Sequence, residues 1–178
     1  MVELLNAYFI QTGVGWAVIG AMAAVMFGGT GSAKGIRISC SQGAGVLSEN
    51  PELFGRLLVI MALPGTQGFY GFIAAIIIAL RCGLIAGHVA CPPIVGVGLM
   101  AIGALSGVVF WRSAVYQGET SAASVNMVAK QPESSGRAIL LPALVETYAV
   151  IALLAGILMT FWMTAETLSF ADPAILVK

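Results

Sequence analysis

Charge is what this sequence has least of. Lys, Arg, Asp and Glu supply 9% of its 178 residues, one histidine is present, and the hydrophobic share is 59%. A soluble domain carries about 25% charged residues, so an ordinary water-soluble fold is excluded. The eight basic and eight acidic groups cancel to zero formal charge, which leaves no basic surface for nucleic acid. No G-x-x-x-x-G-K-[ST] pattern occurs, so nucleotide binding by a P-loop is excluded as well. Runs of alternating polarity, the mark of a membrane β-barrel, are also missing.

The few charges divide the chain. None lies between Glu3 and Lys34, between Arg56 and Arg81, or between Arg81 and Arg112, and Glu146 is alone between Arg137 and Glu166. About 20 apolar residues cross a bilayer as a helix. Four such stretches fit, three of them with roughly 24 to 30 uncharged residues, long enough to tilt or project beyond the lipid. The expected fold is an all-α membrane protein of four transmembrane helices. A secretory signal needs a positive start, and the N-terminus offers only Glu3, so the first run reads as a retained helix. Lys34, Arg37 and Arg56, then Arg112, Lys130 and Arg137, flank the polar turns "SENPE" and "AKQPE". The positive-inside rule assigns the turns near Pro51 and Pro132 to the cytoplasm and both termini to the outside.

A shift of 81 residues superimposes the halves. Pro51, Glu52, Gly55 and Arg56 meet Pro132, Glu133, Gly136 and Arg137; Ser32-Ala33 meets Ser113-Ala114; Leu63 meets Leu144 and Thr66 meets Thr147. The chain therefore reads as two tandem hairpins in a parallel repeat. The first spans residues 1–81, an extracytoplasmic link 82–92, the second hairpin 93–164, and a tail 165–178. Mismatches carry more information. Glu146 stands opposite Gly65, Gln117 opposite Ile36 and Tyr148 opposite Gln67, so the two copies have divided the parts of one site. The first and third helices are rich in glycine and alanine, which lets membrane helices approach closely. One reading is a packing seam within the chain; the other makes these helices the inner wall of a ring, with the second and fourth outside.

An ionised side chain at mid-bilayer costs about 2.5–3.5 kcal/mol and marks a function by default. Glu146 is not alone at its depth. Measured from the Pro51 and Pro132 turns, Thr66, Gln67, Gln117 and Glu146 all lie ~21–24 Å along their helices. Leu63, Thr66, Gln67 and Tyr70 share one helix face by their i, i+3, i+4, i+7 spacing. Pro64 removes a helical N–H from the Ile60 carbonyl, and Gly65 eases local distortion, so a backbone carbonyl here is free to face an ion. A proton needs only the carboxylate and one hydrogen-bonding partner. Several neutral oxygens around a single carboxylate suit a hard monovalent cation, Na+ before Ca2+ or Mg2+, with K+ left open by this count.

"GSAKG", "LPGTQGFYGF" and "LPALVETYAV" resemble the membrane-rotor proteolipid (K or c subunit) of V-type rotary ATPases, nearest to the sodium-translocating bacterial type. The resemblance covers roughly residues 10–164. It implies a homo-oligomeric ring in a bacterial cell membrane, turning against a static membrane subunit that supplies an arginine. Central-stalk subunits would contact the cytoplasmic turns, and lipid would surround the ring. It also implies that Glu146 is the ion-binding carboxylate and that Gln117, Gln67, Thr66 and the Leu63 backbone carbonyl are ligands for Na+. Tyr70 would hold the carboxylate closed by a hydrogen bond. Such a chain translocates ions and leaves catalysis to a soluble head. The same family with H+ alone is the alternative; a small secondary transporter with a membrane glutamate and a purely structural bundle are the rivals from other classes.

Some features depart from the resemblance. Glu119 lies near the site's depth, but two residues past Gln117 is about 200° around the helix, so it should face the ring lumen or a neighbour. Cys82 and Cys91 flank the link with His88 between them, and a disulfide there is expected only if that compartment is oxidising. Three ligands in a flexible link make no complete metal shell. Cys40 reads as a small packing residue. The tail "AETLSFADPAILVK" lies past the resemblance and receives no function.

Overall fold

The computed structural model describes residues 1–85, 87 and 91–165. Four long apolar helices dominate it: α1 (Val14–Glu49), α2 (Pro51–Arg81), α3 (Pro93–Lys130) and α4 (Pro132–Met163). No strand occurs among the described residues. In lipid each backbone N–H and C=O must find a partner within the chain, and the helix supplies one locally. α1 and α3 run 36 and 38 residues, about 54–57 Å at 1.5 Å per residue, so each overshoots the ~30 Å hydrocarbon core.

The two turns are built alike. Asn50 (φ −132°, ψ 72°) and Gln131 (φ −139°, ψ 79°) end α1 and α3. Each precedes a proline, whose ring pushes the residue before it out of the helical region. A single 3-10 turn follows in both hairpins, Pro51–Leu53 and Pro132–Ser134. The duplication thus extends to backbone geometry.

α1 packs along α3, α2 lies on α1, α4 lies on α3, and α2 also meets α4. The result is two layers, α1 with α3 and α2 with α4. Small residues make the first layer tight. A methyl group added to Gly31 would lie 2.5 Å from the Trp111 Cα, and one on Gly118 would lie 2.5 Å from the Gly35 Cα. Only glycine tolerates such backbone contact. Gln42 Nε2 donates to Asn126 Oδ1 across the same seam at 2.6 Å.

Two apolar clusters close the ends. Near the link, Val14, Ala17, Ile78, Cys82, Cys91 and Leu99 pack together; near the turns, Leu53, Leu57, Ile60, Val125 and Val128 do so. At the link end Arg81 donates from Nε to Thr164 Oγ1 (2.7 Å) and from Nη2 to the Thr164 carbonyl (2.9 Å), while its guanidinium lies 4.8 Å from the Phe161 ring centroid. A cation at a helix C-terminus satisfies its free carbonyls and opposes the negative end of its dipole. Arg81 therefore ties the end of α2 to that of α4.

Cys40 is exposed in the single chain, because its position on α1 points away from both α2 and α3; contrary to expectation, it is not a packing residue here. Cys82 and Cys91 are buried free thiols with their sulfurs 3.7 Å apart, a hydrogen-bond separation and not a disulfide bond. Arg112, grouped from sequence with the charges flanking the Pro132 turn, sits inside α3, eighteen residues before Lys130, because no proline or turn interrupts that helix. His88 and the tail from Glu166 onward lie outside the described residues.

Candidate ion site at the helix break

Between the two apolar clusters lies a polar layer. It begins with an interruption of α2, where Leu63–Gly65 forms one 3-10 turn between two α-helical segments. Pro64 causes this, since it has no N–H to continue the ladder. Two serines of α1, seven residues apart and so on one face, take up the disturbed backbone groups. Ser39 Oγ donates to the Met61 carbonyl at 2.8 Å, and Ser32 Oγ accepts from the Gly68 N–H at 2.8 Å. The break is clasped on both sides by the neighbouring helix.

Just past the break, Thr66 Oγ1 lies 3.2 Å from the Leu63 carbonyl and 3.3 Å from Gln67 Oε1. Gln67 is fully buried, and its amide donates to Gln117 Oε1 at 2.6 Å and to Ser113 Oγ at 3.4 Å. Gln117, also fully buried, donates from Nε2 to Glu146 Oε2 at 3.3 Å and to the Pro142 carbonyl at 3.1 Å. The Tyr70 hydroxyl donates to Glu146 Oε1. The Tyr70 ring stands edge-on to buried Phe110, centroids 6.2 Å apart, which fixes its direction.

All six residues singled out from sequence, Leu63, Thr66, Gln67, Tyr70, Gln117 and Glu146, therefore belong to one connected cluster drawn from α2, α3 and α4. Glu119 does not; it is exposed, half a turn from buried Gln117. Sequence reasoning passed over Ser113, which accepts from Gln67 and donates to the Val145 carbonyl at 3.3 Å, and the Pro142 carbonyl. A signal existed, because Ser32 and Ser113 occupy the same position of the repeat. Chemically, the cluster offers one carboxylate held by two donors, with hydroxyl, amide and carbonyl oxygens beside it. It can neutralise and enclose one small cation or one proton.

The family of ATP synthase C subunits matches twice, over residues 19–78 and again over 95–159, once on each hairpin. The chain belongs to the ATP synthase C-subunit family. Among relatives, it is 35% identical over 149 residues to the V-type sodium ATPase subunit K of Enterococcus hirae, an alignment covering 83% of this chain and 91% of that protein. It is 38% identical over 141 residues to the A-type ATP synthase subunit K of Methanocaldococcus jannaschii, covering 79% of this chain and 60% of that one. As a member of this family, the chain is an integral membrane protein and a rotor proteolipid of the V/A-type rotary ATPases. In such a protein, a membrane-embedded carboxylate is the element that can take up and release a cation.

Proposed function

We propose that this rotor proteolipid carries Na+ on Glu146, with Gln117, Gln67, Thr66 and the Leu63 carbonyl as neutral ligands and Tyr70 as the latch. The observation that carries the reading is the connected cluster itself. A proton would need the carboxylate and one partner; two buried glutamines and a threonine beside a backbone carbonyl are what a monovalent metal cation requires. One carboxylate then makes the occupied site neutral, so it can face lipid at low cost. The relative from Enterococcus hirae, named as part of a sodium ATPase, supports the same ion.

In this reading identical copies close into a ring with α1 and α3 inside and α2 and α4 outside. The turns near Pro51 and Pro132 face the cytoplasm and a central stalk, and the ring sits in a bacterial cell membrane. A static partner in the membrane presents an arginine that displaces the cation as Glu146 passes it. Rotation, driven by or driving ATP chemistry elsewhere, moves each ion from one access path to the other.

The test uses a hydrophobic carbodiimide, which reacts with protonated carboxyl groups. Because Na+ and H+ compete for one carboxylate, labelling should rise as pH falls and drop when Na+ is added, with K+ at equal ionic strength protecting far less. Glu146→Gln should abolish labelling and ion transport while the hairpins stay inserted; Glu119→Gln should do neither. Labelling on Glu119 would overturn the site. Labelling of Glu146 that Na+ never reduces would favour a proton carrier.

A further inference from the structure

Glu119, Arg37 and Arg112 are charged, exposed in the single chain, and unused by the ion cluster. Their placement follows a rule set by the repeat. A shift of 81 residues carries the first hairpin onto the second, so in a ring of copies it also carries the second hairpin onto the first hairpin of the next copy. Each contact of α1 with α3 inside the chain then has an image between α3 and the α1 of a second copy.

Gly31 against Trp111 becomes Arg112 against Thr30 of the second copy. Gly35 against Gly118 becomes Tyr116 against Arg37 of the second copy. Gly20 against Met100 becomes Ala101 against Ile19 of the second copy. All six image residues are exposed in the single chain, whereas Gly20, Gly31, Gly35 and Gly118 are buried. The exposed faces of the two helices are thus the faces the repeat requires for docking. Chemistry agrees with geometry, because an arginine arrives beside a tyrosine ring, and Glu119 follows Tyr116 by three residues on the same helix face.

We propose that the α3 face carrying Arg112, Tyr116 and Glu119 docks on the α1 face of a second copy, with that copy's Arg37 lying on the Tyr116 ring and paired with Glu119. The proposal rests on the ring reading above and gives Glu119 the role that reading lacks. Two different seams then alternate around the ring. Within a chain the helices meet through glycine on at least one side of each of these contacts; between chains the space is filled by arginine, tyrosine and glutamate. Arg112, whose guanidinium already lies 5.6 Å and 6.0 Å from the Trp111 and Tyr116 ring centroids, meets the Thr30 hydroxyl of the second copy.

Native mass spectrometry of the detergent-extracted protein tests this with R37E, E119R and the double swap R37E/E119R. Each single reversal places like charges at every seam and should weaken it roughly tenfold or more, seen as rings breaking into smaller species. The double swap should recover rings. A second measurement does not depend on the swap folding. In a Cys40→Ser background, mild oxidation of T30C/R112C should give a ladder of disulfide-linked multiples on a non-reducing gel, and neither single cysteine should pass the dimer. The proposal is overturned if single reversals leave rings as stable as the parent, if the swap is no better than the worse single, or if the double cysteine yields no ladder. A parent protein that runs as a monomer would instead sink the ring reading itself.

Discussion

Tyr70 and Glu146, seventy-six residues apart in sequence, are joined by a hydrogen bond from the phenol to the carboxylate. The bond links the first hairpin to the second at the one acidic residue within the apolar run of α4. Its donor ring is backed by Phe110, and the other oxygen of the same carboxylate accepts from the Gln117 amide. Removing the hydroxyl should free one carboxylate oxygen without creating a cavity. Tyr70→Phe is expected to keep the fold and the ring while speeding carbodiimide labelling of Glu146 severalfold at each pH. An unchanged labelling rate would mean that the phenol is a packing group and not a latch.

On the proposed reading the two buried glutamines contribute separable oxygens. Gln67→Leu and Gln117→Leu each delete one, and a hydrogen bond or ligand contact to a charged partner is worth about 1.5–3 kcal/mol. Sodium affinity, measured as the concentration that half-protects Glu146 from labelling, should weaken by about tenfold or more in each. Labelling in the absence of Na+ should remain. Equal half-protection in parent and both variants would show that neither glutamine is a ligand of the ion.

Ser32 acts on the site without touching it. Its hydroxyl accepts from Gly68 N–H just beyond the Leu63–Gly65 turn. Ser32→Ala takes the acceptor from that part-buried N–H, at about 1 kcal/mol, and lets the segment bearing the Leu63 carbonyl relax. Half-protection by Na+ should shift upward several-fold while labelling without Na+ stays near parental. Ser32→Thr, which keeps the oxygen, should restore most of the affinity. If Ala and Thr behave alike, the clasp is structural only.

Packing at the α1–α3 seam gives a stability prediction. A side chain at Gly118 meets the Gly35 backbone at 2.5 Å, and overpacking a tight contact costs typically about 1–3 kcal/mol. Gly118→Val should lower the thermal midpoint of the helical signal, whereas Gly136→Ala, where an added methyl meets nothing within 4 Å, should not. Similar midpoints would show that the seam opens more easily than its geometry implies.

The link offers a redox prediction. Hydrogen bonding to Cys91, with burial, pushes the Cys82 thiol above the ordinary cysteine range. A thiol held protonated is a poor nucleophile, so at neutral pH Cys82 should resist a polar alkylating reagent while exposed Cys40 reacts. Raising pH past the ordinary thiol range should leave Cys82 slow. Rapid modification of Cys82 at neutral pH would show that the link end opens.

Much of the fold is legible in the sequence because the bilayer leaves few choices. Charge-free stretches announce four helices, and the 81-residue shift announces two hairpins with matching turns. Equal distances from two prolines place Gln117, Thr66, Gln67 and Glu146 at one depth, since helical rise is fixed. What escapes are features set by direction and not by depth. Ser32 and Ser113 read as small residues in a glycine-rich seam, and their hydrogen bonds depend on which way each hydroxyl turns. Residue type alone suggests packing for Cys40, yet its angular position on α1 leaves it outside the chain. Arg112 groups with a turn only on the premise that a charge ends the apolar run, and nothing in the backbone ends the helix there.

Where the second hairpin has Glu146, the first has Gly65, and in the proposed ring that difference would set a gear ratio. A ring whose every hairpin bore a carboxylate would advance one ion for each hairpin passing its static partner. Here, on the proposed reading, two hairpins pass for each ion, so the angular step doubles and a full turn moves half as many ions as the circumference could hold. With the same work delivered per turn, each ion receives twice the push. Such a wheel is geared to drive ions against a steep gradient, at the expense of the number moved.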